Sequence, residues 1–417
     1  MKIFKNKKRK YIIISGLVSA FAIIGLCITY YNSIPREEPL IGAYINGTYS
    51  ETLPTKGSGY AVEKIVCDNN KNASWDYNKW GIKLSNWGTR SRCNIYFKSL
   101  ESFTLANKTF YLDEAQRCPT TNSDGTVTVT GTEDTYGYLC RANDAYGNSY
   151  YYRGNVTNNY VLFAGKYWRI IRINGDGTVR VIYDGTVAHA NSDASTDRQI
   201  GSTAFNTSYN YNANVGYMYG KTGASTYAET HANTNNSTVK TYLDTWYKNN
   251  IKGTTYEKYV EDNLFCNDRS FASNNKGTGV KKSATDYRWS NFANNSENNK
   301  MMLTCPQKND AFTVNDTGKG NGALTYGVGL VTTDEVVLAG GWSSENLNYY
   351  LYSGQYYWTM SPFYFNGSYA SERRVHSNGS TNIGSYASNS SGARPVLNLS
   401  SDVLKNGNGT ASNPYHA

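Results

Sequence analysis

The chain has 417 residues, a formal net charge of +9 and 38 tyrosines. Six of the nine charges sit in Met1–Lys10, so only +3 remains for the rest, and no Arg/Lys stripe interleaved with aromatics follows; charge therefore gives no reason to expect a nucleic-acid partner. Tyr, Asn, Ser, Thr and Gly abound while helix formers do not dominate, which favours strands and polar loops, although an AT-rich coding sequence would also raise Asn, Lys and Tyr, so composition alone does not establish an aromatic binding surface.

The first element expected is a membrane anchor. After the basic residues 1–10, residues 11–31 run without a formal charge. As a helix they would span about 30 Å, the thickness of a hydrocarbon core. Tyr11, Tyr30 and Tyr31 stand at its ends, where aromatic rings favour the interface. A cleaved signal peptide would be shorter and would end on small residues, which Ile28-Thr29-Tyr30-Tyr31 does not provide. Leu26 before Cys27 also departs from a lipidation pattern. The expectation is a single-pass protein in the cell membrane, its N-terminus cytoplasmic and its C-terminal region extracellular.

Residues 32–44 read as a stalk, with Pro35 and Pro39. Residues 45–100 read as a small β module. Ala61, Ile65 and Cys67 share one strand face, and Trp80, Ile82 and Leu84 alternate with polar neighbours, as do Cys93, Ile95 and Phe97. Six cysteines lie beyond Cys27: Cys67, Cys93, Cys118, Cys140, Cys266 and Cys305. An even number in an exported region points to disulfides. Pairing in chain order is expected, because each bridge then closes a local loop and contributes about 3 kcal/mol. Residues 101–137 read as a polar connector.

A larger domain is expected over 138–405, with a short tail at 406–417. The strand Tyr167–Ile173 turns through Asn174-Gly175-Asp176-Gly177 and returns as Thr178–Tyr183, a β-hairpin. Ser237 caps a helix with Val239, Tyr242, Leu243, Trp246 and Tyr247 on one stripe, stopped at Gly253. Thr254–Glu257 and Thr332–Glu335 match the capping box of two further short helices. Strands return at Tyr356–Met360 and Val396–Leu399. The fold class expected is α+β: a transmembrane helix, a small all-β module, and a larger, mostly antiparallel β domain with a few helices beside it.

Three stretches carry a resemblance: YWRIIRINGDGTVRVIYDG (167–185), LVTTDEVVLAG (330–340), and YYWTMSP (356–362) with GARPVLNL (392–399). Together they resemble an uncharacterised domain family of surface and secreted proteins of gut Firmicutes. Its marks are a Trp-Arg strand, a TxxEV helix, a WxxSP strand and a closing GxRP strand. The pattern is distantly similar to the C-type-lectin-like and sulfatase-modifying-factor fold, and covers about 138–402. The segment with Cys67, Trp75, Trp80 and Cys93 resembles a small β module that often precedes this domain. The family has no established activity, so the resemblance implies location and architecture, not mechanism.

Enzyme chemistry finds little footing. Asp334 and Glu335 are adjacent, and on a helix adjacent side chains diverge by about 100°, so capping is their expected role. His376 beside Arg373 and Arg374 has no nucleophile motif to serve. Arg172-x-Asn174-x-Asp176-Gly177 has part of an EF-hand rhythm, but Arg172 and Tyr183 occupy its charged-ligand positions. Scattered histidines and the lack of a CxxC leave no metal motif, and neither a Walker loop nor GxGxxG is present; no cofactor is expected. Aromatics crowd instead into Trp342–Trp358 among Ser, Asn and Gly. Flat rings with polar neighbours suit sugars or peptides. The expected function is an extracytoplasmic binding protein for a glycan or another surface polymer, with Trp342, Tyr349, Tyr350, Tyr352, Tyr356 and Trp358 as ligand-binding residues. A structural or protein-interaction ectodomain is the alternative, and an envelope enzyme the third reading. A binder should line a cleft with those rings; a scaffold should bury them.

Overall fold

A computed structural model describes residues 40–55, 60–68, 72–76, 80–85, 92–99, 118–133, 135–271, 281–293, 300–381 and 384–417. Residues 11–31, where the anchor was expected, lie outside the described residues, as do the basic tail, residues 32–39 of the expected stalk and residues 101–117 of the expected connector.

The small module is built from β1 (Leu40–Ile45), β2 (Thr48–Ser50), β3 (Tyr60–Cys67), β4 (Asn72–Asp76), β5 (Gly81–Ser85) and β6 (Arg92–Ser99). Four of these form a sheet in the order β2-β1-β6-β3, with β1 parallel to β6 and β3 antiparallel to it. The β4–β5 hairpin lays Trp75 and Ile82 against Ile95 and Phe97 of that sheet. Cys67 and Cys93 are register partners across β3 and β6 and form a disulfide. So small a core gains much from such a staple.

The body begins with β7 (Gly137–Asp144), β8 (Gly147–Gly154), β9 (Tyr160–Phe163), β10 (Lys166–Ile173) and β11 (Val179–Gly185). These join the late strand Val396–Leu399 in one sheet, ordered 396–399, β11, β10, β8, β7, with β9 also on β10. The β10–β11 hairpin turns at Asn174–Gly177, where Gly177 takes φ +87° and the Asp176 carboxylate accepts from the N–H and hydroxyl of Thr178. Every residue of β11 is buried. The second sheet holds β12 (Tyr357–Phe365), β13 (Ala370–Val375) and β14 (Gly384–Tyr386), with short strands at Ser202–Ala204, Lys281–Lys282 and Ser390–Gly392. One large cluster of buried apolar side chains, Trp168, Val181, Leu243, Tyr349, Trp358 and Leu397 among them, draws on both sheets.

Four short α-helices complete the described residues: α1 (Tyr227–Thr230), α2 (Thr238–Asn250), α3 (Ala284–Ala293) and α4 (Thr333–Leu338). The Ser237 hydroxyl caps α2 by accepting from Lys240 N–H, and Val239, Leu243 and Tyr247 form its buried stripe. At Thr254–Glu257 the expected helix is corrected: only a single 3₁₀ turn, Glu257–Tyr259, forms before the chain turns extended at Val260.

Two larger expectations are also corrected. The regular structure is mostly β, not an α+β balance, because the helical segments are stopped after few turns while the strands extend into two sheets. The single-pass membrane localisation is not upheld: no helix among the described residues is long and apolar enough to cross a membrane. The longest, α2, has 13 residues, about 20 Å of rise against the roughly 30 Å of a hydrocarbon core. Disulfides join Cys67–Cys93, Cys118–Cys140 and Cys266–Cys305, in chain order. Three such bridges fit an oxidising, extracellular setting.

Candidate functional site

The rings expected to bind ligand are mostly core. Tyr349, Tyr350 and Trp358 are fully buried and Tyr352 is 7% exposed. Tyr349 donates to the Gly379 carbonyl at 3.0 Å and Trp358 to the Thr203 carbonyl at 2.8 Å, while the buried Tyr350 hydroxyl has no hydrogen-bond partner among the described residues. The backbone of this segment is held from below by buried guanidiniums. Arg198 donates to the Tyr350 carbonyl (3.0 Å) and Arg394 to the Leu351 carbonyl (2.7 Å). Both pair with the Asp184 carboxylate at 2.8 Å, and Arg169 stands 3.9 Å from the same group. The four charged side chains are wholly buried. This cluster pulls the 349–352 segment onto the core, so its rings offer no open face.

Tyr356 and Trp342 differ. Both are half-buried. The Tyr356 hydroxyl lies 2.7 Å from His376 Nε2, and the Arg374 guanidinium sits over its ring at 4.2 Å. His376 Nδ1 accepts from Asn378 N–H, which places the ring proton on Nε2, toward the phenol. Trp342 packs on the cluster containing Tyr138, Tyr151 and Trp289, and its carbonyl accepts from Thr381. The six residues therefore do not converge on one aromatic cleft.

The adjacent carboxylates also part company. Glu335 closes the α4 capping box with Thr332 and pairs with Arg180 (2.6 Å) and Arg172 (3.3 Å). Asp334 takes Arg288 at 3.1 Å and the N–H of Met302 at 3.0 Å. The paired arginines hold the Glu335 carboxyl below its ordinary range against the opposing effect of burial, which is the largest single influence. Among the described residues no group of three or more His, Cys, Asp or Glu is placed to hold a metal ion.

An exposed aromatic face does exist, on the outer end of the second sheet. The β12–β13 hairpin turns at Asn366-Gly367-Ser368, where Gly367 takes φ +98° and the Asn366 side chain accepts from the N–H groups of Ser368 and Tyr369 at 2.9 Å. Tyr364 and Tyr386 are both register partners of Ser371, so the three share one face across β12, β13 and β14. Tyr369, just past the turn, packs on Tyr386 at 4.4 Å and lies 6.1 Å from Tyr364. The carbonyl of Tyr209 accepts from Ala370 N–H, and its ring stacks on Tyr386 at 5.9 Å and 19°. The result is a ladder of four tyrosines from three distant segments. Tyr386 is 41% exposed, and the other three are half-buried. Hydrogen bonds from Tyr386, then Tyr364, pull the Tyr369 phenol below its ordinary value. Exposed Asn366, Ser368, Asn389 and Ser390 surround the rings.

Only the hairpin part of this ladder had a signal in the sequence: Asn366-Gly367 between aromatic residues is turn chemistry that puts Tyr364 and Tyr369 near each other. Tyr209 and Tyr386 arrive through tertiary contacts. Comparison of the chain with family models, with curated proteins and with solved structures finds no match.

Proposed function

We propose that this is an extracellular binding protein whose tyrosine ladder takes a glycan chain. The observation that carries this reading is the stacked Tyr209–Tyr386 pair, exposed at Tyr386, with Tyr369 and Tyr364 beside it. Ring faces bury the apolar C–H patches of a sugar, while hydroxyls and neighbouring amides take its polar edges. The ladder extends across three strands, so several sugar units of a polymer can lie along it. The sites first expected on Tyr349, Tyr350, Tyr352 and Trp358 have no part in it.

The test is a glycan array probed with the purified chain, disulfides intact, beside Tyr386→Ala and Tyr369→Ala. Both residues lie at the surface, so the fold should survive, as circular dichroism would verify. Glycan binding that weakens about tenfold or more in each variant supports the ladder, on the scale of about 1–3 kcal/mol for an aromatic stacking contact. A blank array, or binding that ignores both substitutions, overturns it. The weight would then pass to a protein-interaction or structural ectodomain, a reading that the burial of the 349–352 rings favours.

A further inference from the structure

Where the small module meets the body, a cleft of about 580 Å³ opens. The two parts touch at its edge, where the Ser401 hydroxyl donates to the Val62 carbonyl at 3.4 Å. The volume is that of a small-ligand site, and such sites favour boundaries between packed units.

Most charges on its wall already have partners. Lys83 pairs with Asp76 at 3.1 Å, Lys252 with Glu257 at 2.6 Å, and Lys405 with Asp402 at 2.9 Å. Lys64 and Lys258 sit over the rings of Tyr96 and Tyr259. The Asp262 carboxylate accepts from three successive backbone N–H groups, Val314, Asn315 and Asp316.

One charged group of the wall remains. Glu261 is half-buried, and its carboxyl has neither a hydrogen bond nor an ion pair among the described residues. Burial, with Asp176, Asp76 and Asp402 adding and Lys83 opposing, pushes the Glu261 carboxyl up to about 8. The field at Glu261 is therefore short of positive charge. Nearby the wall carries Tyr326, stacked on Tyr247 at 4.9 Å and 18°.

We propose that this cleft is a second binding site, for an amino sugar whose ammonium pairs with Glu261. An unpaired carboxyl asks for a cation, and a tyrosine wall suits the face of a sugar ring. A single ammonium fits better than a polycation, because five lysines line the same space. This site is independent of the tyrosine ladder: it uses other residues, at the boundary with the small module.

The experiment is titration calorimetry on the full chain with glucosamine, which carries one ammonium, and with N-acetylglucosamine, which carries none. Glucosamine should bind, and N-acetylglucosamine about tenfold or more weaker, the usual scale for a lost charged contact. Glu261→Gln should weaken glucosamine by a similar factor. Tyr386→Ala should leave it unchanged, which separates this site from the ladder. No binding to well-folded protein, equal affinity for the two sugars, or indifference to Glu261→Gln would each overturn the proposal.

Discussion

The buried charge cluster at Asp184 makes a strong demand on stability. One carboxylate faces three guanidiniums, Arg169, Arg198 and Arg394, all at zero exposure. Asp184→Asn keeps the shape and one acceptor oxygen but leaves that positive charge without a counterion. Breaking a buried pair on one side costs about 3–5 kcal/mol. Backbone carbonyls soften the loss, since Arg198 also donates to Ala190 and Asp193 at 3.2 and 3.1 Å and Arg169 to Val156 at 2.6 Å. The expected destabilisation is about 3 kcal/mol, a large part of the roughly 5–15 kcal/mol of a domain. Urea unfolding followed by tryptophan fluorescence, with disulfides intact, would measure it. Adding Arg394→Met to Asp184→Asn should recover part of the loss, since one guanidinium leaves with the carboxylate. A shift below about 1 kcal/mol would refute the reasoning, because the carbonyl cage alone would then suffice for the guanidiniums.

Glu372 on β13 is fully buried, with neither carboxyl oxygen hydrogen-bonded, and burial raises it well above its ordinary value, Arg269 opposing. The folded chain therefore keeps it protonated while the unfolded chain releases the proton, so stability is full below the ordinary glutamate range and falls as pH rises beyond it. Glu372 contributes a slope approaching about 1.4 kcal/mol per pH unit, and Glu372→Gln should remove that share in urea unfolding between pH 6.5 and 8, leaving the share of Glu261; an unchanged slope would refute the assignment to Glu372. Replacing Cys266 and Cys305 together by serine opens a loop of sequence separation 39 and should cost about 4 kcal/mol in the same assay. A loss under about 1 kcal/mol would mean that the unfolded chain is already compact there.

Some features were settled by residues a few positions apart. The Asn174–Gly177 turn, the Ser237 cap and the Thr332–Glu335 capping box each depend on local geometry, and each forms where its residues stand. The same pattern at Thr254–Glu257 yields only a 3₁₀ turn, because the chain turns extended at Val260, where it bridges Leu399, and the next N–H, of Glu261, goes to the Asn398 carbonyl. Which rings face water was beyond local chemistry. Tyr349 and Tyr386 stand among similar polar neighbours, yet one is fully buried and the other 41% exposed. Arg198 and Arg394, far apart in the chain, draw the 349–352 segment inward by its carbonyls, while the pairing of β12, β13 and β14 leaves Tyr364 and Tyr386 on an outer face. Sequence determines what each stretch can form and which bonds it can make close by; burial belongs to the meeting of distant segments, since a side chain loses water only when another part of the chain arrives to cover it.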